Sequence, residues 1–225
     1  MIVLCAATRM EMDACLSPLG ESWAQVPAGP LSWAKRRGRV LLLVTGPGIP
    51  LTLARLMPLV AAERPAALLG IGIAGAYEGS GLAFGDLVAG ESESFGDLGM
   101  EIPGEECFRP IAAFPWSEPA YAGPLPLSLE PLGDAAGLRR GRGCTVNACT
   151  GTAATGARRR KLTGADFESM EGAALALAGA EAGVPAAELR AISNFAAERD
   201  MRPENVGKAL RALGDYVSAW LERNA

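Results

Sequence analysis

Four short segments carry the residue types that could do chemistry: Thr8-Arg9-Met10-Glu11, Thr45-Gly46-Pro47-Gly48, Phe167-Glu168-Ser169-Met170-Glu171 and Arg190-Ala191-Ile192-Ser193-Asn194. The 225 residues contain no histidine. That removes the usual Ser/His and Cys/His dyads and the commonest ligand of a catalytic zinc. Proton transfer therefore falls to Asp, Glu, Tyr, Lys or Cys. Glu11 lies just beyond an apolar run, as either a first-turn helix charge or a general base at a strand end; taken alone, the helix charge is the simpler reading. Glu171 opens a helix otherwise made of Ala, Leu and Gly, where a carboxylate is expected to be semi-buried and to need partners. A helix-end charge and a grip on a ligand diol are level there. Asn194 closes a strand as a turn former or as an amide that reads a base.

Glycines at Thr45–Gly48 and Ile71–Ala76 are read as turn and close-packing residues first and ligand contacts second. Gly70 to Gly75 fits GxGxxG, but no acidic residue closes a following strand in the expected way, so a dinucleotide site ranks last.

Strands and helices must hold these segments. Ile2–Ala6 and Val40–Val44 are short continuous apolar runs, as in strands covered on both faces. A helical pattern runs from Ile49 to about Glu63. Ala67–Ile73 reads as a third strand ending in Ala74-Gly75-Ala76, and Leu87–Ala89 begins a fourth. Cys144–Thr150 and Leu189–Ile192 read as later strands. Met170–Gly183 is a small-residue helix closed by Gly183-Val184-Pro185. Val206, Leu210, Leu213, Val217, Trp220 and Leu221 mark an amphipathic helix. Met100–Gly143, rich in Pro and Gly, is expected as loops with one short helix and as a candidate flap over a pocket. Strands alternating with helices predict a single three-layer α/β domain over residues 1–225.

The net charge of -4 gives no basic face for a nucleic acid, so a small, mildly charged ligand fits better. Five cysteines without CxxC spacing read as reduced, buried thiols, with Cys5, Cys144 and Cys149 in apolar or strand-like contexts. Met1–Ala7 is too short and too closely followed by Arg9, Glu11 and Asp13 for a signal peptide, and no run is long enough to span a bilayer. A cytoplasmic protein without a membrane partner is expected.

AATRMEM, TGPGIP, GIGIAGAYEGSGLAFGDLV, and ESMEGAALA followed by RAISN, in that order, resemble the purine nucleoside phosphorylase and nucleosidase superfamily. Within it, ESESFGDLG and SNFAAERDMRPEN are most similar to the futalosine hydrolases, which release hypoxanthine from futalosine in the alternative menaquinone pathway. The resemblance implies an αβα sandwich with a mixed central sheet, a small-molecule nucleoside substrate, a homo-oligomer, and no cofactor or metal. It makes Glu11 the acid that activates water and Glu171 the acceptor for the ribose hydroxyls, with Met170 against the sugar. Ala74 and Gly75 would line the pocket floor, Ser193 would stand beside Asn194, and Phe167 and Phe95 would contact the base.

In the adenine-specific nucleosidases of this superfamily the position of Asn194 is Asp. A neutral amide donates to O6 of hypoxanthine and accepts from a protonated N7, which suits a 6-oxopurine. Ile73 stands where phosphorylases often carry a hydroxyl, and no basic residue stands beside Gly46 or Gly48 in the sequence, which favours water as nucleophile. The alternatives are a methylthioadenosine/S-adenosylhomocysteine nucleosidase, a 6-oxopurine nucleoside phosphorylase, and a nucleoside-binding protein without turnover.

Overall fold

The computed structural model describes residues 1–20, 23–26, 33–104, 108–116, 123–198 and 201–225. In chain order the strands are β1 (Ile2–Ala6), β2 (Ala24–Gln25), β3 (Trp33–Arg37), β4 (Val40–Val44), β5 (Ala67–Ala76), β6 (Leu87–Phe95), β7 (Gly99–Glu101), β8 (Phe108–Pro110), β9 (Leu125–Pro126), β10 (Arg139–Thr145), β11 (Phe167–Ser169) and β12 (Ala186–Phe195). The helices are α1 (Arg9–Leu16), α2 (Ile49–Glu63), α3 (Ala153–Thr163), α4 (Gly172–Ala182) and α5 (Pro203–Asn224).

The sheet runs β11-β10-β6-β12-β5-β1-β4-β3-β2, with β9 on β6, and mixes parallel and antiparallel pairs. Side chains of a strand alternate between faces, and that period sorts the core into two layers. Leu4 and Ala6 of β1, with Val40, Leu42 and Val44 of β4, pack on one face against Met12 and Cys15 of α1 and Leu213, Val217 and Trp220 of α5. Val3 and Cys5, with Leu41 and Leu43, pack on the other face against Leu56 and Val60 of α2 and Leu175 and Ala178 of α4. The result is the expected αβα sandwich with a mixed sheet. Small residues set the layer spacing: a Cβ on Gly70 would lie 2.7 Å from a methyl of Leu175, and one on Gly214 would lie 2.6 Å from the Ala14 carbonyl oxygen.

The sheet also curls. β11 pairs in parallel with β10 and antiparallel with β5, closing β11, β10, β6, β12 and β5 into a ring. A register shift in β12 falls between Ile192 and Asn194, so Ser193 is the extra residue of a bulge. Bulges re-aim side chains at strand ends, and this one turns both Ser193 and Asn194 toward the cavity described below.

Several elements depart from the sequence reading. The strand expected at Cys144–Thr150 runs instead from Arg139 to Thr145, and Val146–Thr150 leaves as a loop. That loop is held from outside the sheet: Asp97 Oδ2 accepts from the Asn147 and Ala148 amides at 2.7 and 3.0 Å. Cys144 and Val146 stay in the core, while the backbone after them is held by a polar anchor that the periodicity does not reveal. The stretch read as loops contains the β7/β8 ribbon, β9 and most of β10. Residues 105–107 and 117–122 of it, with Cys107, lie outside the described residues.

A candidate active site at the strand ends

A cavity of about 270 Å³ opens where β1, β5, β11 and β12 end, the place where open α/β sheets gather ligands. Glu11 reaches it from the first turn of α1 and is 4% exposed. Thr8 caps α1, and the cap fixes the carboxylate. Glu11 Oε2 accepts from the Thr8 amide at 2.9 Å and the Thr8 hydroxyl at 2.7 Å, while Oε1 accepts from the Ile73 amide of β5 at 3.0 Å. One side chain therefore sits in the first turn of a helix and also lines the cavity.

Glu171 is the N-cap residue of α4. Its Oε1 accepts from the Gly48 amide at 3.0 Å, and its Oε2 accepts from Arg190 Nη1 at 3.3 Å. Burial raises its pKa above the ordinary carboxylate value, against the opposing pull of Arg190 and the Gly48 amide. Arg190, 2% exposed on β12, also donates through Nε to Glu188 at 2.7 Å. Burial alone would lower its pKa, but Glu188 and Glu171 outweigh it and the shift is upward. A Cβ on Gly72 would lie 2.4 Å from Arg190 Nη1 and 2.7 Å from Glu11 Oε1. The missing side chain at Gly72 lets the guanidinium and the Glu11 carboxylate face one space.

At the opposite wall the Ser193 hydroxyl donates to Asn194 Oδ1 at 2.9 Å, and Asn194 Nδ2 donates to the Phe195 carbonyl at 2.9 Å. These two bonds set which end of the amide is which. Glu168 also lines the cavity, but its carboxylate is occupied. It accepts from the Tyr77 hydroxyl at 2.9 Å, the Thr150 amide at 2.8 Å, the Thr150 hydroxyl at 2.5 Å and Arg159 at 3.1 Å. It anchors the loop that brings Cys149 and Thr150 to the cavity.

Glu11, Ala74, Gly75, Met170, Glu171, Ser193 and Asn194 thus meet in one cavity. Phe167 and Phe95 do not join them. Phe167 is fully buried among Ala74, Ala76, Leu82, Val88 and Ile192, because its position on β11 points it into the ring of strands. Phe95 lines a separate depression with Phe108 and Ile111. None of the described residues between 100 and 143 lines the cavity, so those residues form no flap over it here.

Arg55 of α2 also departs from expectation: it folds back to donate to the Thr45 carbonyl beside Gly46, a contact hidden by the intervening helical turns. Cys149 is exposed on the cavity, whereas Cys5, Cys15 and Cys144 are buried. Sequence reasoning missed Arg190, Glu168 and Cys149. Only Arg190 left a signal, as a cation amid the apolar residues of β12.

The sequence model of a family described as the phosphorylase superfamily matches residues 25–222. A futalosine hydrolase of Thermus thermophilus is 35% identical over 195 residues, which is 83% of this chain and 84% of that one. A futalosine hydrolase of Streptomyces coelicolor is 38% identical over 134 residues, and the matched stretch spans 59% of this chain and little more than half, 56%, of the relative. A solved structure of a futalosine hydrolase mutant of Helicobacter pylori superposes with a TM-score of 0.84 at 18% identity, covering 99% of this chain and 98% of that one, which speaks to fold alone.

Proposed function

This chain belongs to the phosphorylase superfamily, and on that premise we propose that it hydrolyses the N-glycosidic bond of futalosine, releasing hypoxanthine and dehypoxanthine futalosine. The observation that carries the proposal is the convergence of Glu11, Glu171 and Asn194 on one cavity, each held by its own hydrogen bonds. Glu11 takes the proton of the attacking water. Glu171 accepts from the ribose hydroxyls, with Met170 as a soft apolar surface against the sugar. Asn194 receives the departing 6-oxopurine. Its fixed amide offers a donor and an acceptor together, and mispairing would leave buried polar groups unsatisfied at a cost of about 1–3 kcal/mol each. The similarity to futalosine hydrolases supports this substrate over methylthioadenosine.

The reaction would serve menaquinone synthesis, in the cytoplasm. Among the described residues no helix is long and apolar enough to cross a membrane. Met10 and Met201 are exposed apolar residues on the cavity lining, which supports a homo-oligomer as the working form.

The test is purine release from futalosine, inosine and methylthioadenosine, each with and without phosphate. Hypoxanthine from futalosine, independent of phosphate, is the expected result. Release that needs phosphate would make the enzyme a phosphorylase, and adenine release from methylthioadenosine would overturn the reading of Asn194.

A further inference from the structure

ESESFGDLG contributes Glu93, and Glu93 does not reach the cavity. It sits on β6, fully buried, against the equally buried Glu188 of β12. Glu93 Oε1 and Glu188 Oε1 lie 2.3 and 2.5 Å from the point that a Cβ on Gly172 would occupy. Glycines leave the room for both: a Cβ on Gly143 would collide with Glu93 Oε1, and one on Gly90 would lie 2.9 Å from Glu188 Oε2.

The surroundings treat the two carboxyls differently. Glu188 Oε1 accepts from Arg190 Nε at 2.7 Å and from the Ser169 hydroxyl at 3.4 Å. Glu93 Oε2 accepts from the Thr145 hydroxyl at 2.6 Å, while Glu93 Oε1 and Glu188 Oε2 each lack a donor. Thr145 and Ser169 in turn accept from the first amides of α4, Ala173 at 2.7 Å and Gly172 at 3.3 Å. Two hydroxyls thus link the positive end of a helix to the carboxyl pair. Glu171 lies on the far side of Arg190, and the buried thiol of Cys144 on β10 is a further titratable group beside Glu93. Two carboxylates packed together out of water cannot both stay ionised.

We infer that Glu93 and Glu188 share one proton beneath the cavity, Glu93 as the neutral acid and Glu188 as the carboxylate, and that this pair positions Arg190 and, through it, Glu171. Each carboxyl has an oxygen without a donor, so the pair calls for a proton, and Arg190 on Glu188 leaves the charge there and the proton on Glu93. Both are positioning residues. The inference rests on Glu171 being the group that holds the sugar.

Glu93→Gln and Glu188→Gln test it in the full chain. A glutamine at 93 reproduces the neutral acid, accepting from Thr145 and donating to Glu188, so kcat/KM for futalosine stays within about threefold of wild type. A glutamine at 188 removes the counter-charge of Arg190, and KM rises about 10- to 100-fold with a smaller change in kcat, as loss of a charge-assisted bond at the sugar site would give. Glu93→Gln as damaging as Glu188→Gln would put the charge on Glu93, and an unchanged KM with only a lower melting temperature in Glu188→Gln would leave the pair merely structural; either result overturns the inference.

The infrared spectrum of the folded protein gives a readout that needs neither substrate nor a folded Glu188→Gln. Wild type shows a buried carboxylic-acid C=O band, shifted in heavy water, that Glu93→Gln removes. No such difference would overturn the shared proton. A wild type with that band but no purine release would count against the substrate and leave the pair standing.

Discussion

Replacing Glu11 by glutamine removes the proposed base and also disturbs the start of α1, and the two effects are separable in size. The carboxylate takes the Thr8 amide on one oxygen and the Ile73 amide on the other. A glutamine has only one carbonyl oxygen, so its NH2 group must face one of those N–H donors. One buried donor is then unsatisfied, at about 1–3 kcal/mol. At about 2–4 °C per kcal/mol for a chain of this length, Glu11→Gln melts roughly 2–12 °C below wild type. Loss of the general base costs a further 10²- to 10⁴-fold in rate, about 2.7–5.5 kcal/mol of transition-state stabilisation. The assay is hypoxanthine release at a temperature well below both melting points. Thr8→Ala is the comparison: it loses the cap hydroxyl, about 0.5–2 kcal/mol of stability, but keeps the carboxylate and its bond to Ile73. It should melt low while losing about tenfold or less in kcat. Glu11→Gln retaining kcat within about tenfold would refute the base. Thr8→Ala falling as far as Glu11→Gln would show that only the placement of α1 matters.

Asn194→Asp keeps the bonds to Ser193 and Phe195 only if the oxygen facing the Phe195 carbonyl carries a proton. The kcat/KM ratio of methylthioadenosine to futalosine should then rise by about 5- to 150-fold, and an unchanged ratio in competition would count against Asn194 as the base reader. N-ethylmaleimide should stop turnover through Cys149, with futalosine protecting, because burial pushes the Cys5, Cys15 and Cys144 thiols up to about 12. Equal sensitivity in Cys149→Ser would place the reactive thiol elsewhere. Burial, and next Glu188, carry the Glu93 pKa well above the ordinary carboxylate value of 4.5. As pH rises past that value the unfolded chain gives up this proton while the folded chain keeps it, so the Glu93 contribution falls by about 1.4 kcal/mol per pH unit until Glu93 itself ionises. The stability of wild type relative to Glu93→Gln should therefore decline as pH rises above about 5, and parallel denaturation curves would refute it.

The layers were legible because burial on both faces writes itself as continuous apolar runs. Ile2–Ala6, Val40–Val44 and Ile49–Glu63 lie where the pattern puts them. Periodicity loses its hold where polar groups do the fixing. β10 begins with arginines and glycines, and the loop after it hangs on Asp97 and Glu168 from distant parts of the chain. The site shows the same division. Glu11, Glu171 and Asn194 stand beside recognisable strand ends, so their neighbourhood was visible one segment at a time. Arg190 and Glu188, two apart on one buried strand, bond to each other, and their pairing with Glu171 and Glu93 exists only after β12 has been laid beside β5 and β6. Phe167 misled because an aromatic residue next to a functional motif reads equally as a ligand contact or as core, and the curl of the sheet turns it into the core.

The choice of nucleophile follows from the same charges. Phosphate would enter the cavity as an anion, and among its described lining residues there are three glutamates, Glu11, Glu168 and Glu171, and no lysine or arginine. Arg55 comes near Gly46, but its Nη1 donates to the Thr45 carbonyl and its side chain does not line the cavity. Arg190 lies behind the lining with Nε on Glu188 and Nη1 on Glu171. Binding phosphate would mean detaching Arg190 from acids that are themselves buried, and leaving such an acid unpaired costs several kcal/mol. Water meets no such opposition. It needs one acceptor for its proton, and Glu11, held by two backbone amides and a hydroxyl beyond the end of β1, lines the cavity as the proposed acceptor.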